Sequence, residues 1–131
     1  MVSKEKIKDV IKAINRAENQ SLSDGVEKKI ASIDELSANN VEGWVNGEHR
    51  TDREAERKFE RKLFSDVPDY HREINLVIVD PPFAAFSWRI TGTSKSSGKK
   101  LNILGSSHVE FSDDDKICKY WIYVDSAQMP V

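Results

Sequence analysis

The sequence predicts an α+β fold in which three N-terminal helices pack on a curved, mostly antiparallel sheet. The prediction depends on a change at Pro68 in the spacing of apolar residues along the sequence. Before it, apolar residues recur at steps of three and four, as in amphipathic helices. After it, they alternate or form short apolar runs between turn residues, as in strands. The length of 131 residues is that of one ordinary domain, so we expect residues 1–131 to form a single domain.

The first two helices are predicted from their apolar faces. The first spans residues 3–19, and the second begins near Val26, after the turn residues 21–25. Each helix has one face that must lie on a core: Ile7, Val10, Ile11 and Ile14 in the first, and Val26, Ile30 and Ile33 in the second.

The third helix has a recognisable start. Thr51 and Glu54 form a capping-box pattern, in which each side chain accepts a hydrogen bond from the other residue's free backbone amide. Phe59 and Leu63 follow on one face, and we expect that face to point inward. The alternating charges of residues 52–62 indicate a solvated helix surface.

Five extended segments are predicted. A short one, residues 41–46, precedes the third helix. The longer strands lie beyond Pro68 and are separated by turn residues: 73–80, 83–93, 101–111 and 117–125. Because short turns join consecutive strands, we expect the pairing to be mostly antiparallel.

Composition argues against several classes of function. Twenty basic and 22 acidic residues give a net charge of -2 with no long block of either sign, so we expect no nucleic-acid partner. The single cysteine, Cys118, excludes an internal disulfide and argues against a cysteine zinc site. Residues 76–79 are too few to span a bilayer, and the charged N-terminus lacks the apolar stretch of a secretion signal. We therefore expect a cytoplasmic protein with no membrane partner.

The sequence lacks the familiar catalytic motifs. It contains no Gly-rich phosphate loop, no nucleophile elbow and no His-Glu-x-x-His metal helix. Residues 113–115 are three consecutive aspartates, which we interpret as a hairpin turn because they lack the spaced ligands of a calcium loop. We therefore expect a site made of scattered groups in a cavity, without a metal.

Strand alternation singles out one histidine. Leu104, Ser106 and His108 fall on the same face of their strand. If the helices cover that face, His108 shares a concave surface with Tyr120 and Ile122 of the last strand. An imidazole against apolar walls has a lowered pKa and can accept a proton at neutral pH. The alternative is a hydrogen-bonded structural histidine.

The opposite face carries exposed aromatic residues. Trp121 and Tyr123, joined by Phe111 of the adjacent strand, point away from the helices in this interpretation. Aromatic surface of this kind is usually covered by a partner, so we expect a homodimer through this face. The alternative is that the C-terminal tail or neighbouring side chains cover these rings.

Four segments together resemble a known family. They are residues 46–55 (NGEHRTDREA), 67–70 (VPDY) and 87–93 (SWRITGT), followed by the final hairpin at 109–125. In this order they resemble the SnoaL-like branch of the NTF2-like superfamily, whose members have a cone-shaped α+β barrel. The order carries the resemblance, since no one segment is diagnostic.

The resemblance implies a deep cavity between sheet and helices, a dimer through the sheet, and no metal or organic cofactor. The polyketide cyclases of this group close a ring by intramolecular aldol condensation, with an aspartate as acid/base and a histidine nearby. His108 aligns with that histidine, whereas Ile122, directly after Trp121, stands where the aspartate is expected. Isoleucine cannot transfer a proton, so the acid/base role passes to another residue, with Tyr120, Glu110 or His108 as candidates.

We therefore predict a pocket for an apolar, partly oxygenated small molecule. If the protein is an enzyme, we expect proton transfer next to a carbonyl, as in a cyclase or isomerase, with His108 as base and Tyr120 as donor to the enolate. The alternative is a non-catalytic ligand-binding or protein-interaction module. The predicted ligand-binding residues are Trp44, Phe59, Leu63, Trp88, Ile90, Leu104, Ser106 and Ile122.

Overall fold

The computed structural model describes residues 1–130, in which three helices lie on a curved, open sheet of six strands. The predicted cone-shaped α+β fold is confirmed. The helices are α1 (Lys4–Glu18), α2 (Val26–Asp34) and α3 (Arg53–Asp66). The strands are β1 (Ser37–Val45), β2 (Glu48–Arg50), β3 (His71–Asp80), β4 (Phe83–Thr93), β5 (Lys100–Phe111) and β6 (Ile117–Val124).

The strand order across the sheet is β2-β1-β6-β5-β4-β3. Every neighbouring pair is antiparallel except β1 and β6, which run parallel. The predicted segment at 41–46 is therefore part of a longer strand, and the short β2 pairs with it as a hairpin.

Helices α1 and α3 begin at side chains that accept a backbone hydrogen bond. The Ser3 hydroxyl accepts from the Lys6 amide at 3.1 Å, and the Asp52 carboxylate accepts from the Ala55 amide at 3.1 Å. The predicted Thr51 cap is thus wrong by one residue. Aspartate is at least as good an N-cap residue as threonine, and its negative charge also interacts favourably with the positive end of the helix dipole.

The core lies between the helices and the inner face of the sheet. Strand β4 has the expected alternation, with Phe86, Trp88 and Ile90 buried. They pack with apolar residues of all three helices and of the neighbouring strand, among them Ile7, Ile11, Ile30, Phe64 and Ile103. Burying this surface is the main source of stability for a chain of this size.

The turn between β1 and β2 is held by a side chain. Asn46 and Gly47 both have positive φ angles, 51° and 83°, as a two-residue hairpin turn of this type requires. The Asn46 side chain donates to the Val124 carbonyl at 2.7 Å and accepts from the Val124 amide at 2.9 Å. It thereby continues the pairing of β1 with β6 beyond the end of β1.

Within residues 1–130 we find no helix that is both long and apolar enough to cross a membrane. Cytoplasmic location stays a prediction from the sequence. The described residues also contain no group of three or more His, Cys, Asp or Glu side chains placed to hold a metal ion.

Candidate functional site

The predicted orientation of β5 is wrong. His108 lies directly opposite Trp121, and opposite residues of an antiparallel pair point to the same side of a sheet. Since Trp121 points outward, so does His108, whose exposed ring lies 5.4 Å from that of Tyr123. The helices cover the other, more apolar set of β5 side chains, because burying that set removes more apolar surface from water: Leu101, Ile103, Ser107, Val109 and Phe111.

Phe111 is consequently not part of the outer face. Its side chain is 3% exposed and belongs to the core, opposite Ile117. A β-bulge at this point inserts Cys118 into β6, so that Ile117 and Tyr120 both face inward although they are three residues apart. Uninterrupted alternation along residues 117–125 would instead place Ile117 on the same side as Trp121.

Four of the predicted pocket residues lie on the inner face. Leu63, Trp88 and Ile90 are buried in the core, and Ile122 is half-buried against it. Tyr120, the predicted donor, packs beside them. The inward orientation of the last strand is thus as predicted.

The other predicted pocket residues lie elsewhere. Trp44 pairs with Trp121 on the outer face, where their rings stack at 5.3 Å. Leu104 is 56% exposed, and Ser106 lies opposite the outward-facing Tyr123. Phe59 is 37% exposed on α3. These four residues do not line the space between helices and sheet.

Helix α3 is rotated relative to the prediction. The residues that it turns inward include Glu56, Glu60, Leu63 and Phe64, which recur at steps of three and four. Two acidic side chains therefore lie on the face that the sequence pattern assigned to Phe59.

Two glycines hold aromatic rings flat on the inner face of the sheet. A Cβ atom at Gly105 would overlap the Trp88 ring, and one at Gly43 would overlap the Tyr120 ring. The Trp88 indole also donates to the Ser107 hydroxyl at 3.0 Å, a buried bond that fixes its orientation. Glycine in a strand often marks such a close approach.

Glu60 is the most perturbed carboxyl group of the site. Its Oε2 atom is buried and has no hydrogen-bond partner among the described residues. Burial raises the pKa of Glu60 to about 8, and the charges of Glu18, Asp34 and Glu56 raise it further, against the lowering effect of Arg57. Glu60 is therefore largely protonated at neutral pH and loses its proton just above it.

Tyr120 lies on the sheet near Glu60. Burial raises the pKa of Tyr120 to about 12, and the charges of Glu56 and Glu60 contribute. The phenol therefore stays protonated and can donate a hydrogen bond. Burial also raises the pKa of Glu56, while its ion pair with Arg50 at 3.7 Å lowers it. We call Glu56, Glu60 and Tyr120 the α3–β6 cluster.

A second polar network connects α1 to β3. The Tyr70 hydroxyl donates to Glu18 at 2.8 Å, and the Arg72 guanidinium donates from Nε to Asn15 at 3.0 Å. Lys29 is 3% exposed, with its ammonium 3.9 Å from the centre of the Phe64 ring. Burial lowers the pKa of Lys29, and Glu18 raises it. This network stabilises the packing of the helices on β3.

Two open depressions lie on the surface of the described residues. One, of about 430 Å³, lies on the outer face of the sheet beside Phe83, His108 and Trp121. The other, of about 590 Å³, lies between α1 and β3. Neither is the cavity between sheet and helices that the sequence resemblance implies, and that cavity stays a prediction.

The sequence profile of the SnoaL-like domain matches residues 22–120. The chain belongs to the SnoaL-like family. The SnoaL-like family is one whose members bind small molecules. No curated protein matches the chain in sequence.

Solved structures share the fold of this SnoaL-like chain. AclR, a candidate hydroxylase from Streptomyces galilaeus, is 13% identical with a TM-score of 0.82, over 96% of this chain and 93% of AclR. Wild-type IdmH, a candidate polyketide cyclase from Streptomyces antibioticus, is 16% identical with a TM-score of 0.75, over 94% of each chain. A de novo designed protein with a curved β-sheet is 24% identical with a TM-score of 0.68, over 96% of this chain and 90% of the designed one. These similarities show the fold. Any chemistry has to be inferred from the residues of the site.

Sequence reasoning missed Glu60 in this SnoaL-like chain. The residue lies within a charged run that is typical of a solvated helix surface. One signal points inward: Glu60 precedes Leu63 by three residues and Phe64 by four, so all three share a helix face. That spacing was available in the sequence.

Proposed function

We propose that the chain binds an apolar, partly oxygenated small molecule on the inner face of its sheet and catalyses proton transfer next to a carbonyl group. The observation that carries the proposal is the buried carboxyl group of Glu60, whose Oε2 atom has no hydrogen-bond partner among the described residues and whose charge acts on the phenol of Tyr120. A candidate polyketide cyclase among the proteins of similar fold supports the same reaction class.

Glu60 is proposed as the general acid/base. A pKa of about 8 lies close to a working pH near neutrality, where a group can both accept and return a proton. As a carboxylate, Glu60 removes the proton from the carbon next to the carbonyl. As an acid, it returns the proton to the product. This role replaces the one predicted for His108, which faces the opposite side of the sheet.

Tyr120 is proposed as the hydrogen-bond donor to the carbonyl oxygen. Its pKa of about 12 keeps the phenol protonated throughout the physiological range. Negative charge develops on that oxygen as the enolate forms, so a fixed donor stabilises the transition state more than the ground state. The proposal requires the cavity that the sequence resemblance implies, opening beside Trp88, Ile122 and Leu63, for the apolar body of the substrate.

The test is exchange of the α-protons of 2-tetralone in D₂O, followed by ¹H NMR. We expect the protein to accelerate exchange, and the rate to rise with pH up to about pH 8 as Glu60 ionises. Glu60→Gln should slow exchange by about 10²-fold or more. Tyr120→Phe should slow it by about 10²-fold, the usual effect of losing one oxyanion donor.

Two controls accompany this test. Glu54→Gln changes an exposed carboxylate of the same helix, and His108→Ala changes the histidine of the outer face. Both should exchange tetralone at the wild-type rate. Undiminished exchange in Glu60→Gln would refute the assignment. Binding of tetralone without any acceleration by the wild-type protein would favour the alternative, a non-catalytic binding module.

We further propose that the outer face forms a homodimer. Antiparallel register aligns Leu76, Ser87, Ser106 and Tyr123 in one row across the face. A neighbouring row contains Ile78, Ala85, His108 and Trp121, and it continues to Trp44 through the parallel pair. Several large apolar side chains of this face are exposed: Leu76, Ile78, Phe83, Leu104 and Tyr123. A surface of this kind is typical of an interface.

Light scattering after size-exclusion chromatography tests the dimer. The wild-type protein should elute with twice the chain mass of 14.9 kDa. Leu104→Glu places a charge on the proposed interface, next to the row that ends at Tyr123, and should give a monomer. Phe59→Glu makes the same kind of change on the exposed side of α3 and should leave the dimer intact. A monomeric wild-type protein at 100 µM, a concentration chosen for the assay on the order of a weak dimer's Kd, would contradict the proposal.

A further inference from the structure

The groove between α1 and β3 shares no residue with the α3–β6 cluster. It has a volume of about 590 Å³, within the range of small-molecule sites. Part of its lining is apolar and comes from Ile11 on the helix and from Ile74 and Val77 on the strand. The groove therefore offers contact surface to an apolar group.

The rest of the lining is mostly cationic. Lys8, Lys12 and Arg16 follow one another at every fourth position of α1, so they form one stripe along the helix. Arg72 lies on the opposite wall, and Glu73 is the single carboxylate among the residues that line the groove. The chain as a whole has a net charge of -2, so this excess of positive charge is local. A concave surface lined by one sign of charge attracts ligands of the other sign.

The charges of this stripe are largely uncompensated. Lys8 is 3.8 Å from Glu5, an exposed ion pair that screens it in part. Lys12 and Arg16 are exposed and form no ion pair within the described residues. Surface cations without a partner remain free to contact an incoming anion.

Arg72 adds a buried cation to the wall. Its side chain is 9% exposed, its Nε donates to Asn15 and its Nη1 lies 3.9 Å from Glu18. Its Nη2 is buried and has no hydrogen-bond partner among residues 1–130. A buried guanidinium nitrogen without an acceptor costs free energy, so an oxyanion that reached it would gain a strong, charge-assisted bond.

We propose that this groove binds an amphipathic organic acid, a carboxylate attached to an apolar chain. The carboxylate lies between Arg72 and the cations Lys12 and Arg16, and the apolar chain lies along Ile11, Ile74 and Val77. Both parts of the lining are needed for this assignment. An inorganic anion would leave the apolar floor uncovered, and a neutral lipid would leave the cations without a partner. This site is independent of the proton-transfer function proposed above.

Decanoate, below the concentration at which it forms micelles, is the probe. In a ¹⁵N NMR titration, we expect its binding to shift the amide signals of α1 and β3. Decanamide has the same chain and no charge, and inorganic phosphate has the charge and no chain. Each should bind at least about tenfold more weakly than decanoate, since each loses one of the two contributions.

The variant Lys12→Gln/Arg16→Gln removes two exposed charges of the groove. Because an exposed ion pair contributes modestly, loss of both charges should weaken decanoate binding by about tenfold. The matched control Lys58→Gln/Lys62→Gln makes the same charge change on exposed positions of α3 and should bind like the wild type. Neither change removes a buried side chain, so both variants should fold.

Four results would overturn the proposal. They are no detectable decanoate binding, equal binding of decanamide, equal weakening in the α1 and α3 variants, and signal shifts confined to the α3–β6 cluster or to the outer face. The first would show that the groove takes no organic acid of this size, the second and third that its charges do not select the ligand, and the fourth that the ligand binds elsewhere.

Discussion

Replacing Glu60 by Gln should stabilise the protein, and the gain should grow with pH. In the folded protein the pKa of Glu60 is raised to about 8, whereas the unfolded chain loses this proton near the ordinary value of 4.5. Between these pH values the folded state binds more protons than the unfolded state, so the free energy of unfolding falls as pH rises. The contribution of the protonated Glu60 carboxyl to the free energy of unfolding is fully present below pH 4.5 and fully lost above about pH 8.

The size of this loss in the free energy of unfolding follows from the difference between the two pKa values of Glu60. At about 1.4 kcal/mol for each pH unit, the range from 4.5 to 8 amounts to at most about 5 kcal/mol. Glutamine has nearly the same shape and does not ionise, so Glu60→Gln lacks this loss. The difference in free energy of unfolding between variant and wild type should therefore increase by up to about 5 kcal/mol from pH 4.5 to pH 9.

Urea unfolding at half-unit steps of pH, followed by tryptophan fluorescence at one protein concentration, measures this difference. The fixed concentration matters because a dimer's stability depends on it. Glu54→Gln, on the exposed side of the same helix, is the control and should track the wild type at every pH. If the Glu60→Gln difference stayed constant over this range, the buried carboxyl would not be protonated as argued, and its proposed acid/base role would lose its basis.

Two further predictions concern packing on the inner side. Gly105→Ala should lower the free energy of unfolding by about 1–3 kcal/mol and shift the emission of Trp88 to longer wavelength, because the new methyl group displaces its ring. Ser106→Ala, the next residue and on the outer face, should change stability by no more than about 0.5 kcal/mol, and equal effects would refute the argument. Lys29→Met should raise the free energy of unfolding by about 1 kcal/mol, because this buried ammonium has no ion-pair partner in the described part of the chain. A loss of stability in Lys29→Met would instead show that the attraction of the ammonium to Glu18 and to the Phe64 ring outweighs its desolvation.

The sequence was sufficient for the order of elements and for the inner face of β4. Phe86, Trp88 and Ile90 alternate with smaller or polar residues, so only one orientation buries the large apolar side chains. The α+β layout followed from the change of period at Pro68. In both cases one local pattern determined the answer.

The orientation of β5 required a choice between two patterns. One face carries Ile103 and Val109, and the other carries Leu104 and His108. The hydrophobic content favours burial of the first, whereas the family resemblance favoured the histidine. The register with β6 decides the matter, because His108 lies opposite Trp121 and the two must share a side.

The bulge at Cys118 and the burial of Glu60 were harder to predict for a different reason. A bulge adds one residue to a strand without a characteristic local sequence, so its position depends on the partner strand. The burial of one carboxyl among many on α3 depends on how the helix is rotated against the sheet. Leu63 and Phe64 define that rotation better than the charges do.

The two hydrogen bonds between the Asn46 side chain and the Val124 backbone have a practical consequence for protein engineering. The tip at residues 46–47 is exposed and short, and such tips usually accept peptide insertions. Here an inserted tag would move the Asn46 side chain away from β6 and break both of its hydrogen bonds to Val124. The turn at residues 113–115 is the better place for a fluorophore or an affinity tag. The side chains of these residues make no hydrogen bond to a strand of the sheet within the described part of the chain.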